Sequence, residues 1–157
     1  MEVRMAITRD VPQVLQLLRQ LGQMQHEKNP EIFRSNGQKY GPSQVLNMLN
    51  RRETPVFVAV EGEAVLGCCL CQLQTRYRDA VFCDQTNCCI DLIYVQAAFR
   101  RQKIGTKLYE QVCRYAKTQA CRAVTAEVRQ ANAEAAAFFR SLGLGIQTLG
   151  MEAMLEE

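Results

Sequence analysis

Apolar and polar positions along this chain follow two periods, and the changes from one period to the other mark its elements. Glu2 to Ile7 reads as an opening strand, and Thr8 or Asp10 can cap a helix that runs to about Leu21. On that helix Val11, Val14, Leu15, Leu18 and Leu21 recur at helical spacing, which predicts a core-facing stripe. Between Gly22 and Pro42 the Gly, Asn-Pro and Gly-Pro punctuation predicts a long loop with no more than one helical turn. Loops of that length inside a compact domain often carry function. Ser43 can cap a short helix through Leu49. Pro55 to Glu61 and Val65 to Arg76 then read as strands joined at Gly62, and the mixed charged stretch from Tyr77 to Asn87 reads as a hairpin tip.

Beyond the tip, Cys89 to Val95 is an apolar run that predicts a buried strand, Arg100 to Gly105 a tight turn, and Thr106 to Gln119 an amphipathic helix. Ile104, Leu108, Val112 and Ala116 share one face of that helix, while Lys107, Glu110, Arg114 and Lys117 face water. Ala123 to Val128 is a short strand. Asn132 can cap a last helix ending near Leu142, where Gly143 suits a left-handed residue, and Ile146 to Leu155 reads as a final strand or hairpin. Strands and helices interleave, so the fold class is α/β.

Composition narrows the picture in three ways. At 157 residues, with 48% hydrophobic and 22% charged residues, the chain suits one domain, and disorder is not expected. The start Met1 to Arg4 carries no apolar leader, and no apolar run approaches the roughly 20 residues that span a bilayer, so a cytoplasmic protein is expected. Eight cysteines and the single histidine His26 raise a metal or disulfide question. Adjacent cysteines such as Cys68 with Cys69, or Cys88 with Cys89, point to opposite faces of a strand, so neither pair chelates one ion easily. Reduced cysteines serving as small core residues, with no metal, are the expectation.

The chemistry concentrates at the turn before the long second-half helix. From Leu92 to Tyr109 there is no acid, while Arg100, Arg101, Lys103 and Lys107 supply four bases. The first amides of a helix lack internal acceptors, and the aligned peptide dipoles add about half a positive charge there, so phosphate oxygens fit the spot. A merely solvated basic helix start is the competing reading.

Around Arg100 and Gly105 the sequence resembles the GNAT superfamily of acyl-CoA-dependent N-acetyltransferases: a strand ending in Val, then an Arg/Gln-x-x-Gly-x-Gly/Ala turn opening a helix. Arg100 takes the first place of the pattern and Gly105 the last, while Lys103 stands where the middle glycine usually sits. The segment Ala126 to Leu144, with Asn132 at the helix start and Leu142-Gly143 at its exit, resembles a second family segment. It is most similar to that of the ribosomal-protein N-terminal acetyltransferase branch. Met5 to Leu15 is similar to the family's first strand and helix, so the resemblance covers nearly the whole chain.

The resemblance implies a single domain over residues 1–157, built on a mixed sheet splayed between central strands with helices on both faces. It implies acetyl-CoA (coenzyme A) held at its pyrophosphate by the main chain of Arg101, Gln102, Lys103, Ile104, Gly105 and Thr106, with Arg100, Arg101 and Lys103 as nearby cations. The edge of the Ile93, Tyr94, Val95 strand would pair with the amide-bearing pantetheine arm, and the Val95 N–H would polarise the thioester carbonyl. These three residues also read as plain core strand. Asn132 matches an asparagine that touches the cofactor, and it also reads as a helix cap alone.

The acceptor amine must lose a proton before it attacks. Glu127, which matches a glutamate base in some family members, and Asp91, an acid within an apolar strand, are both candidates. Asp91 also reads as an ordinary strand-end acid. The family tyrosine that protonates the departing thiolate is matched by Phe139, which carries no titratable proton, so that role passes elsewhere. The acceptor pocket is expected to involve the Gln23 to Tyr40 loop and the Tyr77 to Asn87 hairpin. His26, Glu27, Glu31 and Tyr40 are the polar groups to watch there, each also readable as a surface residue. The leading expectation is an N-acetyltransferase acting by direct attack on a primary amine of a small molecule or peptide. A GNAT fold that binds acyl-CoA without efficient transfer is the alternative. A homodimer is an expectation from family habit. Nucleic acid is not an expected partner, because no aromatic is interleaved with the bases, and no membrane association is expected.

Overall fold

The computed structural model describes residues 1–156. Strand β1 (Glu2–Met5) leads through a 3-10 turn at Thr8–Asp10 into helix α1 (Val11–Lys28), followed by α2 (Pro42–Leu49). Three antiparallel strands come next: β2 (Val56–Glu61), β3 (Ala64–Arg76) and β4 (Gln85–Val95). Helix α3 (Ile104–Thr118) crosses over to β5 (Ala123–Ala126), and α4 (Ala133–Ser141) follows. The sheet order is β1-β2-β3-β4-β5, antiparallel except for the β4–β5 pair. A parallel neighbour requires such a crossover helix, which is why α3 sits between these two strands in sequence.

The chain divides into two compact units, Met1–Glu127 and the part from Val128 onward. In the first unit the sheet has helices on both faces, and strand alternation sorts the side chains. Val56, Val58 and Val60 of β2 join Val14, Leu17 and Leu18 of α1 and Val45 of α2 in one apolar layer. Phe57 points the other way and meets the Tyr115 ring of α3 edge-on, at 5.7 Å between centroids. Leu108 and Val112 of α3 are fully buried, as their spacing predicts. Gly67 of β3 admits this helix closely: a Cβ there would lie 3.0 Å from the Tyr94 carbonyl oxygen and 3.4 Å from Leu108.

Several elements differ from the reading of the sequence, and β4 is one of them: it starts at Gln85, four residues before the expected Cys89 and inside the expected hairpin tip. Helix α1 does not stop at Leu21 but continues through Gly22 to Lys28. Glycine reads as a breaker locally, yet here the missing side chain lets a loop approach: a Cβ on Gly22 would fall 1.8 Å from the Gly37 carbonyl oxygen. Helix α2 is capped by Gly41, not Ser43; Pro42 takes the first turn, and the Gly41 N–H donates to Gln44 Oε1 at 2.8 Å. Residues 144–156 form neither helix nor strand. Met151 and Leu155 are each 92% exposed, and a strand pattern without a paired neighbour has no ladder to hold it.

In the second unit Asn132 caps α4, its side chain accepting from the Ala135 N–H at 3.2 Å. Gly143 takes the expected left-handed conformation, φ 92°. Phe139 is buried and packs edge-on against Phe138 at 5.2 Å between centroids.

All eight cysteines are unbridged. Cys68 and Cys71 lie three apart on β3 and face opposite sides of the sheet, whereas Cys69 and Cys71 share a face with their sulfurs 3.7 Å apart. Burial pushes the Cys68 thiol up to about 12, and thiol-to-thiol hydrogen bonding together with burial raises Cys71 and Cys88. These sulfurs stay protonated and pack as small apolar groups.

Candidate active site

Strand β4 is longer than its parallel neighbour. Pairing with β5 runs only from Asn87 opposite Ala123 to Ile90 opposite Ala126, and β4 continues to Val95. Among the described residues no strand covers that edge past Ile90. The direction of its main-chain groups follows from one hydrogen bond: the Gln96 N–H donates to the Leu66 carbonyl of β3 at 2.9 Å. Main-chain groups alternate between the two edges of a strand, so those of Val95 and Ile93 point to the open edge. Tyr94 is buried on the α1 side of the sheet.

Arg100 closes the far end of this edge. Its Nε donates to the Val95 carbonyl at 3.1 Å, and its guanidinium carbon stands 5.3 Å from the centre of the Tyr94 ring. It is therefore committed to the end of β4. Beyond it a 3-10 turn (Ala97–Phe99) leads to a strained loop in which Arg101 (φ 64°) and Lys103 (φ 61°, ψ 22°) both take the left-handed conformation. Such a backbone costs about 1–2 kcal/mol for a residue with a side chain, and clusters of this strain belong to ligand clamps and active sites. Lys103 shows that the loop keeps the shape glycine would favour, and its Nζ adds charge that glycine would not. The Lys103 carbonyl starts α3 by accepting from Lys107 N–H at 3.0 Å, and the Lys103 side chain makes no capping hydrogen bond. The Ile104, Gly105 and Thr106 amides precede the first internal bond of α3 and point outward, with the exposed Arg101, Lys103 and Lys107 around them.

Asp91 sits where the open edge begins. The β3–β4 register pairs Leu70 with Leu92 but Cys71 with Ile90, leaving Asp91 as an extra residue opposite that step. Such a bulge re-aims its side chain. The Asp91 carboxylate reaches the loop before α2, where Oδ1 accepts from Lys39 Nζ and Oδ2 from the Tyr40 hydroxyl. Gln72 Nε2 of β3 donates in turn to the Tyr40 hydroxyl at 3.4 Å. Burial, then hydrogen bonding and charge at Asp91, push Tyr40 up to about 12, so its hydroxyl keeps its proton at neutral pH.

The remaining candidates are placed differently. Glu127 follows the end of β5 and is exposed. Glu27 accepts from Gln23 Nε2 at 3.3 Å within α1, while Glu31 lies beyond the helix end at Lys28, so the two do not share a helical face. His26 Nδ1 stands 2.7 Å from the Phe33 carbonyl, which only accepts, so this nitrogen carries the proton and His26 braces the loop. The tip between Tyr77 and Asp84 joins the opposite ends of β3 and β4, about 20 Å along β4 from Asp91 at the usual strand rise. A shallow cavity of about 420 Å³ lies there between Arg76, Asn87 and Arg122, away from the open edge. Lys39 and Gln72 were not legible as site residues, because they lie 52 and 19 positions from Asp91 in the chain and no local pattern links them.

A five-stranded mixed sheet opened at its parallel pair, with a basic helix start at the mouth, defines an acetyltransferase architecture. The acetyltransferase (GNAT) family model matches residues 18–144, and the chain belongs to that family. A point mutant of protein BH1408 from Bacillus halodurans superposes with a TM-score of 0.93 at 25% identity, covering 99% of this chain and 100% of that one. An aminoglycoside acetyltransferase from an uncultured soil metagenomic sample, solved with sisomicin, gives a TM-score of 0.73 at 19% identity over 99% and 96% of the two chains. An aminoglycoside N-acetyltransferase solved with CoA gives 0.75 at 14% identity, covering 99% of each. These last two likenesses concern the fold. No curated protein sequence matches the chain.

Proposed function

We propose that this protein transfers an acetyl group from acetyl-CoA to a primary amine by direct attack, with Asp91 as the base. The observation that carries the reading is the free edge of β4, flanked by the start of α3 and by a bulged carboxylate. The fit to acetyl-CoA is chemical. A pyrophosphate matches the Ile104 to Thr106 amides and the cations of Arg101 and Lys103, and an amide-bearing arm matches the groups of Ile93 and Val95. Bound there, acetyl-CoA would supply an activated acyl group.

The remaining steps belong to the chain. The Val95 N–H points where a carbonyl oxygen can be polarised. Asp91 takes a proton from the acceptor's ammonium group, and the Tyr40 hydroxyl holds the carboxylate in its orientation. The departing thiolate is protonated by way of Asp91 or water. Asn132 caps its own helix, its side chain accepting from the Ala135 N–H. Asp91 is favoured over Glu127 as the base because its side chain is only 14% exposed and it lies beside the open edge. The acceptor class is an aliphatic amine, on a small molecule such as an aminoglycoside or on a peptide N terminus.

Substituting each acid separately tests the assignment. Asp91→Asn is expected to lower amine-dependent CoA release by about 10²- to 10⁴-fold with acetyl-CoA affinity unchanged, and Glu127→Gln by far less. The reverse ranking would transfer the role to Glu127.

A further inference from the structure

The carboxylate assigned as base already holds an amine of its own chain. Lys39 Nζ lies on Asp91 Oδ1, and the neighbouring Tyr40 hydroxyl lies on Oδ2 of the same group. The loop that presents Lys39 is pinned on either side. Gln38 Nε2 donates to the Tyr40 carbonyl at 2.7 Å, and Tyr40 packs against the apolar layer of α1 and α2. The Lys39 side chain is 55% exposed, so its stem is free to pivot about the pinned backbone, whereas Asp91 is largely covered. An ammonium paired with a shielded carboxylate at the head of the open edge is the ground state expected of an acceptor amine.

Resting on the transferase reading above, we propose that Lys39 is an internal acceptor: without an external amine, it takes one acetyl group from acetyl-CoA bound to the same molecule. Asp91 draws a proton from the Lys39 ammonium, and the nitrogen lone pair attacks the thioester carbonyl carbon. A C–N bond forms, the C–S bond breaks, and coenzyme A departs as the thiol. Of the two protons the ammonium gives up, one ends on the sulfur and the other leaves through Asp91 to water. The product is a neutral amide that no longer pairs with Asp91 and occupies the acceptor position, so the modification limits itself to one event. An external amine must displace Lys39 from Asp91 and therefore protects it.

The test incubates the full chain with acetyl-CoA and no amine, and follows each lysine by peptide mass spectrometry at several protein concentrations. The expected result is acetylation of Lys39 well ahead of Lys28, Lys103, Lys107 and Lys117, at a rate independent of protein concentration and slowed by an added primary amine. Asp91→Asn is expected to slow it about 100-fold or more while leaving the background on the other lysines unchanged. Lys39→Arg, which keeps a cation beside Asp91, is expected to abolish the early acetyl incorporation. Acetylation of Lys39 at the rate of the other lysines, at an equal rate in Asp91→Asn, or at a rate that scales with protein concentration would overturn the inference. CoA release that depends on added amine while Lys39 stays unmodified overturns this inference and leaves the transferase reading standing; absence of acetyl-CoA binding sinks both.

Discussion

At the scale of single residues, the site depends on where protons are held. The Tyr40 hydroxyl stays protonated to about pH 12, so across the working range it is a donor that orients Asp91. Tyr40→Phe is expected to lower kcat several-fold, because Asp91 then loses the hydrogen bond that holds its carboxylate in orientation. A change in stability with kcat unchanged would make Tyr40 a packing residue only. Lys103 belongs to the same scale. Lys103→Glu is expected to raise the Kd for acetyl-CoA about three- to thirtyfold at low salt, with the difference shrinking as salt is added, since the reversal changes the site by two charges, each worth about 0.3–1 kcal/mol at a helix terminus and screened. Titration calorimetry at two ionic strengths checks it.

At the scale of elements, what the sequence made legible follows from how local each signal is. The face of α3 carrying Ile104, Leu108, Val112 and Ala116, the strand ending at Val95, and the Asn132 cap are written in contiguous residues, and each is found in the structure. The extension of α1 was not legible, because Gly22 signals a helix end unless the Gly37 carbonyl is known to press on it. The acid cluster was half legible: Asp91 and Tyr40 stood out by type, while Lys39 and Gln72 meet them only through the β3–β4 bulge and the loop before α2. The contact at Gly22 also carries a prediction. Gly22→Ala places a Cβ 1.8 Å from a main-chain oxygen, so the loop must shift. A loss of about 1–3 kcal/mol in chemical denaturation is expected, with activity reduced further than stability alone explains because Lys39 and Tyr40 move with the loop. Helix propensity alone would favour alanine by about 1 kcal/mol, so a stabilised variant would refute the contact.

At the scale of the whole molecule, one ion pair ties the first strand to the first helix. Asp10 is 3% exposed; Arg4 donates to both of its oxygens, at 2.7 and 3.2 Å, and the Ile7 N–H donates to one at 2.8 Å. Burial raises its pKa, but the Arg4 and Ile7 hydrogen bonds outweigh that and hold the carboxyl below its ordinary range. The unfolded chain therefore binds this proton first as pH falls. The stabilisation is complete above about pH 5 and is lost as pH drops through the native-state value. At the alkaline end the sign reverses: Tyr40 and Tyr109 are both raised to about 12, so the native state keeps protons the unfolded chain releases, and stability falls above about pH 10. Asp10→Ala is expected to cost about 2–4 kcal/mol at pH 7, somewhat less than a fully buried pair because Arg4 is partly exposed, and to flatten the acid limb. Urea midpoints measured from pH 3 to 8 check both.

Release of the coenzyme A thiol from acetyl-CoA, measured with and without added primary amines on the wild-type chain and on Asp91→Asn, tests the role of Asp91 most directly. Release that rises with amine concentration, and that falls about 10²-fold or more in the variant while acetyl-CoA still binds, is the predicted result. Tight binding of acetyl-CoA with no amine-dependent release from the wild type, or equal release from both chains, would contradict it.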